Sequence, residues 1–243
     1  MLEAIDLSRT VEKSDYKREK DALGMKLGAL QRQLLEHNIP VIVVFEGWDA
    51  AGKGTLINRL IMPLDPRGFS VHSTLEPNDE ERLRPFLWRF WTKTPASGRI
   101  AIFDRSWYRR LLNDRVDGDL KPSATPAAER DIISFERQLA NDGNVIIKFF
   151  LHISKKEQKK RFEKLRRNPS TAWRVTDEDL KRQRQYNDYR DAAEAMLAAT
   201  DSDFAPWTIV EAEDHRFATL KIFKAMIRAL EQKLSLVTQK PAS

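Results

Sequence analysis

The apolar run Val41-Ile42-Val43-Val44-Phe45 passes almost at once into Gly47-Trp48-Asp49-Ala50-Ala51-Gly52-Lys53-Gly54-Thr55, and a helical pattern begins at Leu56. No other stretch narrows the possible folds as much. An unbroken apolar run reads as a strand buried on both faces, and the glycine loop then hands the chain to a helix start. Backbone N–H groups freed by Gly47, Gly52 and Gly54 can converge on an anion there. The helix N-terminus adds a partial positive charge and Lys53 a full one. A phosphorylated ligand is therefore the expected occupant. A purely structural glycine-rich turn would explain the glycines but not a lysine set between two of them.

The chain has 243 residues, enough for one well-buried core, and one domain over residues 1–243 is expected. It contains no cysteine, and its four histidines, His37, His72, His152 and His215, show no ligand spacing. Any metal is then a hard cation held through oxygen. The N-terminus carries Glu3 and Asp6 and no apolar segment with a cleavage site, and no apolar run approaches the ~18 residues of a membrane helix. A soluble cytoplasmic protein with no membrane partner is expected.

Positive charge is concentrated. Between Lys155 and Arg190 stand 13 Lys and Arg against 6 Asp and Glu, an excess that outweighs the net charge of +6 on the whole chain. Such a segment is either a solvated helix face or, in a chain that binds phosphate, an electropositive wall of the same cleft.

Five short apolar runs alternate with helical patterns: 41–45, about 70–74, 100–103, 145–151 and 207–210. That alternation predicts an α/β fold, a five-stranded parallel sheet with helices on both faces. Leu23, Leu27, Leu30 and Leu34 predict an amphipathic helix over 15–37, and Ile222, Met226, Ile227, Leu230 and Leu234 predict another at the end of the chain. A helix is also predicted between Asn78 and Thr92, its aromatics read as core. Residues 154–200 read as two charged helices broken at Asn168-Pro169-Ser170, a hairpin projecting from the sheet with its lid at about 155–190.

Ligands of such sheets bind at the carboxyl ends of the strands. There Asp49 sits inside the glycine loop, where a carboxylate among phosphates calls for a cation or a donor hydroxyl between them; a turn-capping role is the alternative. At the end of the third strand comes Asp104-Arg105-Ser106-Trp107-Tyr108-Arg109-Arg110. Asp104 is placed to hold Mg²⁺, and the guanidinium groups of Arg105, Arg109 and Arg110 can neutralise a transferring phosphoryl group. A structural ion pair between Asp104 and Arg105 is the alternative. Trp107 and Tyr108 read as packing.

Four blocks in order then resemble one family: Phe45 to Gly54, Phe103 to Arg110, Leu151-His152-Ile153-Ser154-Lys155 with Glu157-Gln158, and Ala205-Pro206-Trp207. Together they are similar to the second, P-loop family of polyphosphate kinases. The Glu-Gly-Trp-Asp-Ala-Ala-Gly-Lys-Gly phrase and Leu64-Asp65-Pro66-Arg67-Gly68-Phe69 look most like the halves of polyphosphate:AMP phosphotransferases. The resemblance implies a three-layer P-loop kinase fold with a helical lid hairpin. It also implies phosphoryl transfer between inorganic polyphosphate and purine nucleotides (AMP, ADP, with GMP or GDP as alternatives). Mg²⁺ is the implied cofactor, with Mn²⁺ as a substitute, and a homo-oligomer, dimer or tetramer, the implied assembly; no nucleic-acid partner is expected.

By that resemblance Asp49 and Asp104 serve metal and acceptor phosphate, while Gly47, Gly52, Lys53, Gly54 and Thr55 bind phosphates. Arg105 and Arg110 meet charge in the transition state. Where relatives carry basic lid positions this chain has Leu165 and Thr171, which leaves Lys164, Arg166, Arg167 and Arg174 to grip polyphosphate. An ATP-dependent nucleoside monophosphate kinase and a non-catalytic nucleotide- or RNA-binding regulator are the rival readings.

Overall fold

Strands β1 (Val41–Gly47), β2 (Phe69–Ser73), β3 (Ile100–Asp104), β4 (Val145–His152) and β5 (Trp207–Glu211) form one parallel sheet of order β2-β3-β1-β4-β5 in the computed structural model. The structure describes residues 2–238 apart from the side chain of Arg174, so the expectation for that arginine lies outside the described residues. Both central strands run past their apolar stretches. Glu46 and Gly47 pair with Phe150 and Leu151, which draws β1 two residues beyond Phe45 and carries the strand up to the loop.

Ten helices follow in chain order among the described residues. They are α1 (Lys13–Glu36), α2 (Lys53–Ile61), α3 (Asp79–Arg82), α4 (Trp88–Trp91), α5 (Asn113–Asp117), α6 (Thr125–Asn141), α7 (Lys155–Arg167), α8 (Asp177–Arg184), α9 (Tyr186–Thr200) and α10 (His215–Thr238). Leu27, Leu30 and Leu34 of α1 are buried, and α1 packs on α10, which also meets α2 and the sheet. From α6, Phe135 and Glu136 cover the other side of β4, with the carboxyl half of α9 beside them. Every residue of β1 is buried, so both faces of the sheet are covered. No helix among the described residues is long and apolar enough to cross a membrane.

One predicted helix is corrected. The 78–92 segment is two single turns, α3 and α4, rather than one helix. Asn78 and Glu81 form a capping box that starts α3, but Pro85 denies a helical bond and biases Arg84 away from the helical region. Leu83 is consequently left in solvent, while Phe90 reaches the core against Phe103 and Trp107.

A buried ionic network pins the segment after β3. Lys148, in the middle of β4, donates to Tyr108 Oη at 2.7 Å, Glu136 Oε2 at 2.8 Å and the Thr200 carbonyl at 2.9 Å. Tyr108 Oη and Trp107 Nε1 both donate to Glu136 Oε1. The 3-10 turn Trp107–Arg110 is thus tied to β4 and α6 through groups that have no access to water.

Candidate active site

β3 and β2 are laid down on one side of β1 and β4 and β5 on the other, so the loop at the end of β1 opens over the crevice where the strand order reverses. Its glycines do different work. A Cβ on Gly47 (φ +122) would lie 2.3 Å from the Leu151 carbonyl oxygen, so the close pairing with β4 demands glycine there. A Cβ on Gly52 would strike the His215 ring, whereas one on Gly54 would meet nothing within 4 Å. Packing therefore explains Gly47 and Gly52. Gly54 and Thr55 stand on the exposed first turn of α2, with the backbone bare where an anion approaches a helix N-terminus.

Lys53 folds back over the loop, its Nζ donating to the carbonyls of Gly47 at 2.8 Å and Trp48 at 3.0 Å. Burial and the Arg105 charge lower its pKa. Asp49 Oδ1 accepts Arg105 Nη2 at 2.5 Å, and Arg182 Nη1 stands 3.9 Å from Oδ2. Burial opposes ionisation of Asp49, but Arg105 and Lys53 outweigh it and hold the carboxyl below the usual range. Asp49 thus pairs with the neighbouring strand end rather than capping its own turn, and Arg105 pairs with Asp49 rather than with Asp104.

Arg105 occupies the left-handed region (φ +59), a conformation that costs a non-glycine residue on the order of 1 kcal/mol or more. Its surroundings hold it there. Its own N–H donates to the Phe45 carbonyl at 3.0 Å, Thr74 Oγ1 donates to its carbonyl at 2.7 Å, and the next N–H, of Ser106, donates to buried Glu46 at 2.7 Å. Asp104 closes β3 beside Phe45, and its charge is felt by both Lys53 and Arg105. Arg109 is spoken for by Glu76 and by Asp114 at 3.2 Å. Arg110 lies 3.5 Å from Asp114 and over the Phe86 ring. Next to Ser106 these arginines line a cleft of about 150 Å³ with Thr74, Arg89 and Phe90.

The hairpin is bolted to the loop at its base. Arg161 donates to the carbonyls of Ala50, Ala51, Ala212 and Glu213, and Gln158 donates to that of Asp49 at 3.1 Å. Trp48 stacks on Tyr186 at 4.0 Å and donates to His152 Nδ1 at 2.8 Å, while Tyr189 Oη reaches the Gly47 carbonyl. Lys164, Arg166 and Arg167, by contrast, are exposed in the last turn of α7. Of the hairpin residues that meet the loop, the sequence brought out only Gln158, within a matched block, and not Arg161, Arg182, Tyr186 or Tyr189.

The donor set suits the implied metal. Asp49 stands within the phosphate loop and Asp104 at the adjacent strand end, and no cluster of three or more His, Cys, Asp or Glu with metal-binding geometry occurs among the described residues. Mg²⁺ takes one or two protein carboxylates and completes its shell with phosphate oxygens and water, so two aspartates beside a phosphate loop fit it.

The glycine loop at the carboxyl end of β1, Asp104 ending the adjacent strand and Arg105 paired to the loop bring candidate phosphate-handling groups together. Residues 10–237 match the family model described as polyphosphate kinase 2 (PPK2), and the chain belongs to that family. It is 38% identical over 232 residues to a polyphosphate:AMP phosphotransferase of Pseudomonas syringae pv. tomato, covering 96% of this chain and 47% of that one. It is 34% identical to a GDP-polyphosphate phosphotransferase of Mycolicibacterium smegmatis, covering 89% and 77%. The crystal structure of a polyphosphate kinase 2 from Pseudomonas aeruginosa, itself described as putative, superposes with a TM-score of 0.93 at 38% identity, over 96% of this chain and 50% of that one. The chain thus spans about half the length of the polyphosphate:AMP phosphotransferase it matches.

Proposed function

We propose that the chain transfers phosphoryl groups between inorganic polyphosphate and a nucleoside mono- or diphosphate, AMP to ADP or ADP to ATP. The observation that carries this reading is the convergence of Lys53, Arg105, Asp49 and Asp104 at the carboxyl ends of β1 and β3 in a chain of this family. An acceptor phosphate oxygen attacks the terminal phosphorus in line, the bridging P–O bond breaks, and the shortened polyphosphate departs with the electron pair. The acceptor is already anionic, so no base is required, and catalysis is positioning and charge neutralisation.

Lys53 and the α2 N-terminus bind phosphate oxygens, and Arg105 meets the equatorial charge. Asp49 and Asp104 would hold Mg²⁺, which would supply charge neutralisation at the phosphates. The cleft beside Ser106, with Arg109 and Arg110 in its wall, takes the acceptor. Product analysis by ion-exchange chromatography tests substrate scope, with AMP expected to be used at least as readily as ADP. Exclusive use of ADP would discard the AMP preference.

Arg105→Ala is expected to lower turnover about 10²-fold or more, because it removes a preorganised charge. Arg109→Ala should cost less than ~10-fold, since two carboxylates already neutralise its guanidinium. Equal losses in steady-state turnover would refute the division of labour between them.

The exposed basic turn of α7 is the proposed grip on long polyphosphate. Replacing Lys164, Arg166 and Arg167 together by Gln should raise KM for long-chain polyphosphate and leave KM for nucleotide nearly unchanged. The dependence of log KM on log salt should flatten by roughly two to three units, if counterion release follows nucleic-acid behaviour. A wild-type salt slope in the variant would make this turn a solvated face.

A further inference from the structure

We propose that Arg182, on the returning arm of the hairpin, is a phosphoryl-binding residue of the site, taking an oxygen of the phosphoryl chain across Asp49 from Arg105. The proposal deepens the phosphotransferase reading and rests on it for the identity of the chain that is bound. Arg182 lies on α8, a helix whose other basic side chains, Lys181 and Arg184, point to solvent. Its own side chain is only 14% exposed and is directed at the phosphate loop.

The contacts of Arg182 fall short of what a guanidinium seeks. Three carboxylates surround it, Asp49 Oδ2 at 3.9 Å, Asp117 Oδ2 at 3.6 Å and Glu178 Oε2 at 3.9 Å. All three are ion-pair distances beyond hydrogen-bond reach. Its Nε is buried without a hydrogen-bond partner among the described residues. Leaving a buried donor unsatisfied is unfavourable, and an incoming acceptor oxygen would relieve it. The planar fork of arginine suits phosphate oxygens better than any other side chain does.

Position supports the same assignment. Arg105 and Arg182 address the two different oxygens of Asp49, so the carboxylate separates and orients two guanidinium groups beside Lys53. Arg182 is not placed by its own weak pairs. Immediately after α8, Tyr186 and Tyr189 fasten α9 to Trp48, Ile153 and Gly47, and Arg161 and Gln158 fasten α7. The arm that carries Arg182 therefore reaches the site preorganised, the condition under which a charge acts on a transition state without a reorganisation cost.

The test compares Arg182→Gln and Arg182→Lys with Arg184→Gln, which makes the same charge change at an exposed position of the same helix. Turnover with polyphosphate is expected to fall about 10²-fold in Arg182→Gln, to recover partly in Arg182→Lys, and to stay within about twofold of wild type in Arg184→Gln. The thermal midpoint of Arg182→Gln should match wild type, which excludes a merely structural role. Calorimetric binding of inorganic tripolyphosphate reads the contact independently of turnover and should weaken at least tenfold in Arg182→Gln. An inactive wild type whose tripolyphosphate binding still depends on Arg182 would sink the polyphosphate kinase reading and sustain this one. Unchanged tripolyphosphate affinity in Arg182→Gln, or equal losses in Arg182→Gln and Arg184→Gln, would overturn it.

Discussion

Lys53→Ala is expected to fold as the native chain does and to lose about 10²–10³-fold in phosphoryl-transfer turnover. The side chain is 7% exposed, yet its ammonium is spent on two loop carbonyls and not on the hydrophobic core. Burial and Arg105 both disfavour its charge, so the lysine is held charged by nearby carboxylates and, in the proposed cycle, by phosphate. Lys53→Met keeps the aliphatic stem and should lose as much activity, which separates charge from packing. Circular dichroism and a thermal melt check the fold. Retention of more than a tenth of the wild-type rate by either variant would refute the role.

The largest stability effect is expected far from the loop. Glu136→Ala should destabilise the fold by about 3–5 kcal/mol, because it leaves the Lys148 ammonium buried without its counter-charge. Burial pushes Glu136 upward and Lys148 downward in pKa, towards their neutral forms, and their mutual charge opposes both shifts. The double variant Glu136→Leu with Lys148→Met removes both charges together and should recover most of the loss. Urea denaturation midpoints measure the comparison. A single variant within about 1 kcal/mol of wild type would mean that Tyr108 and Thr200 alone satisfy the lysine.

Much of this architecture was legible in the residues. Five apolar runs marked the five parallel strands, and the loop with its lysine marked the crevice that the sheet topology then placed at the switch point. What escaped depended on partners distant in the chain. β1 continues through Glu46 and Gly47 because β4 pairs with them a hundred residues later, and no local apolarity announces that. Leu83, Phe86, Leu87 and Phe90 share a helical period, but Pro85 within them lacks the donor and splits the segment.

Charge in the hairpin does not by itself separate the arginines that reach the loop from those that stay in solvent. Glu157–Arg161 and Glu178–Arg182 have the i, i+4 spacing common to solvent-exposed helix pairs, so nothing local marks the two arginines that reach the loop. Lys164, Arg166 and Arg167 stood out as neighbours of the lid positions where this chain has Leu165 and Thr171, and the fold leaves them exposed. A single lysine within Val145-Ile146-Ile147-Lys148-Phe149-Phe150 was a usable clue to the buried network. Only the fold identifies its partner as Glu136, on the helix that precedes the strand.

Polyphosphate is the proposed phosphoryl source. The direct measurement incubates the purified chain with AMP and Mg²⁺, in one arm with polyphosphate and no ATP, in the other with ATP and no polyphosphate, and resolves the nucleotides over time. ADP is expected to form in the polyphosphate arm, to depend on Lys53, and to be absent from the ATP arm. ADP formed from ATP and AMP, with polyphosphate inert towards AMP, and towards ADP when ADP replaces it in the same arm, would make the protein an ATP-dependent nucleoside monophosphate kinase.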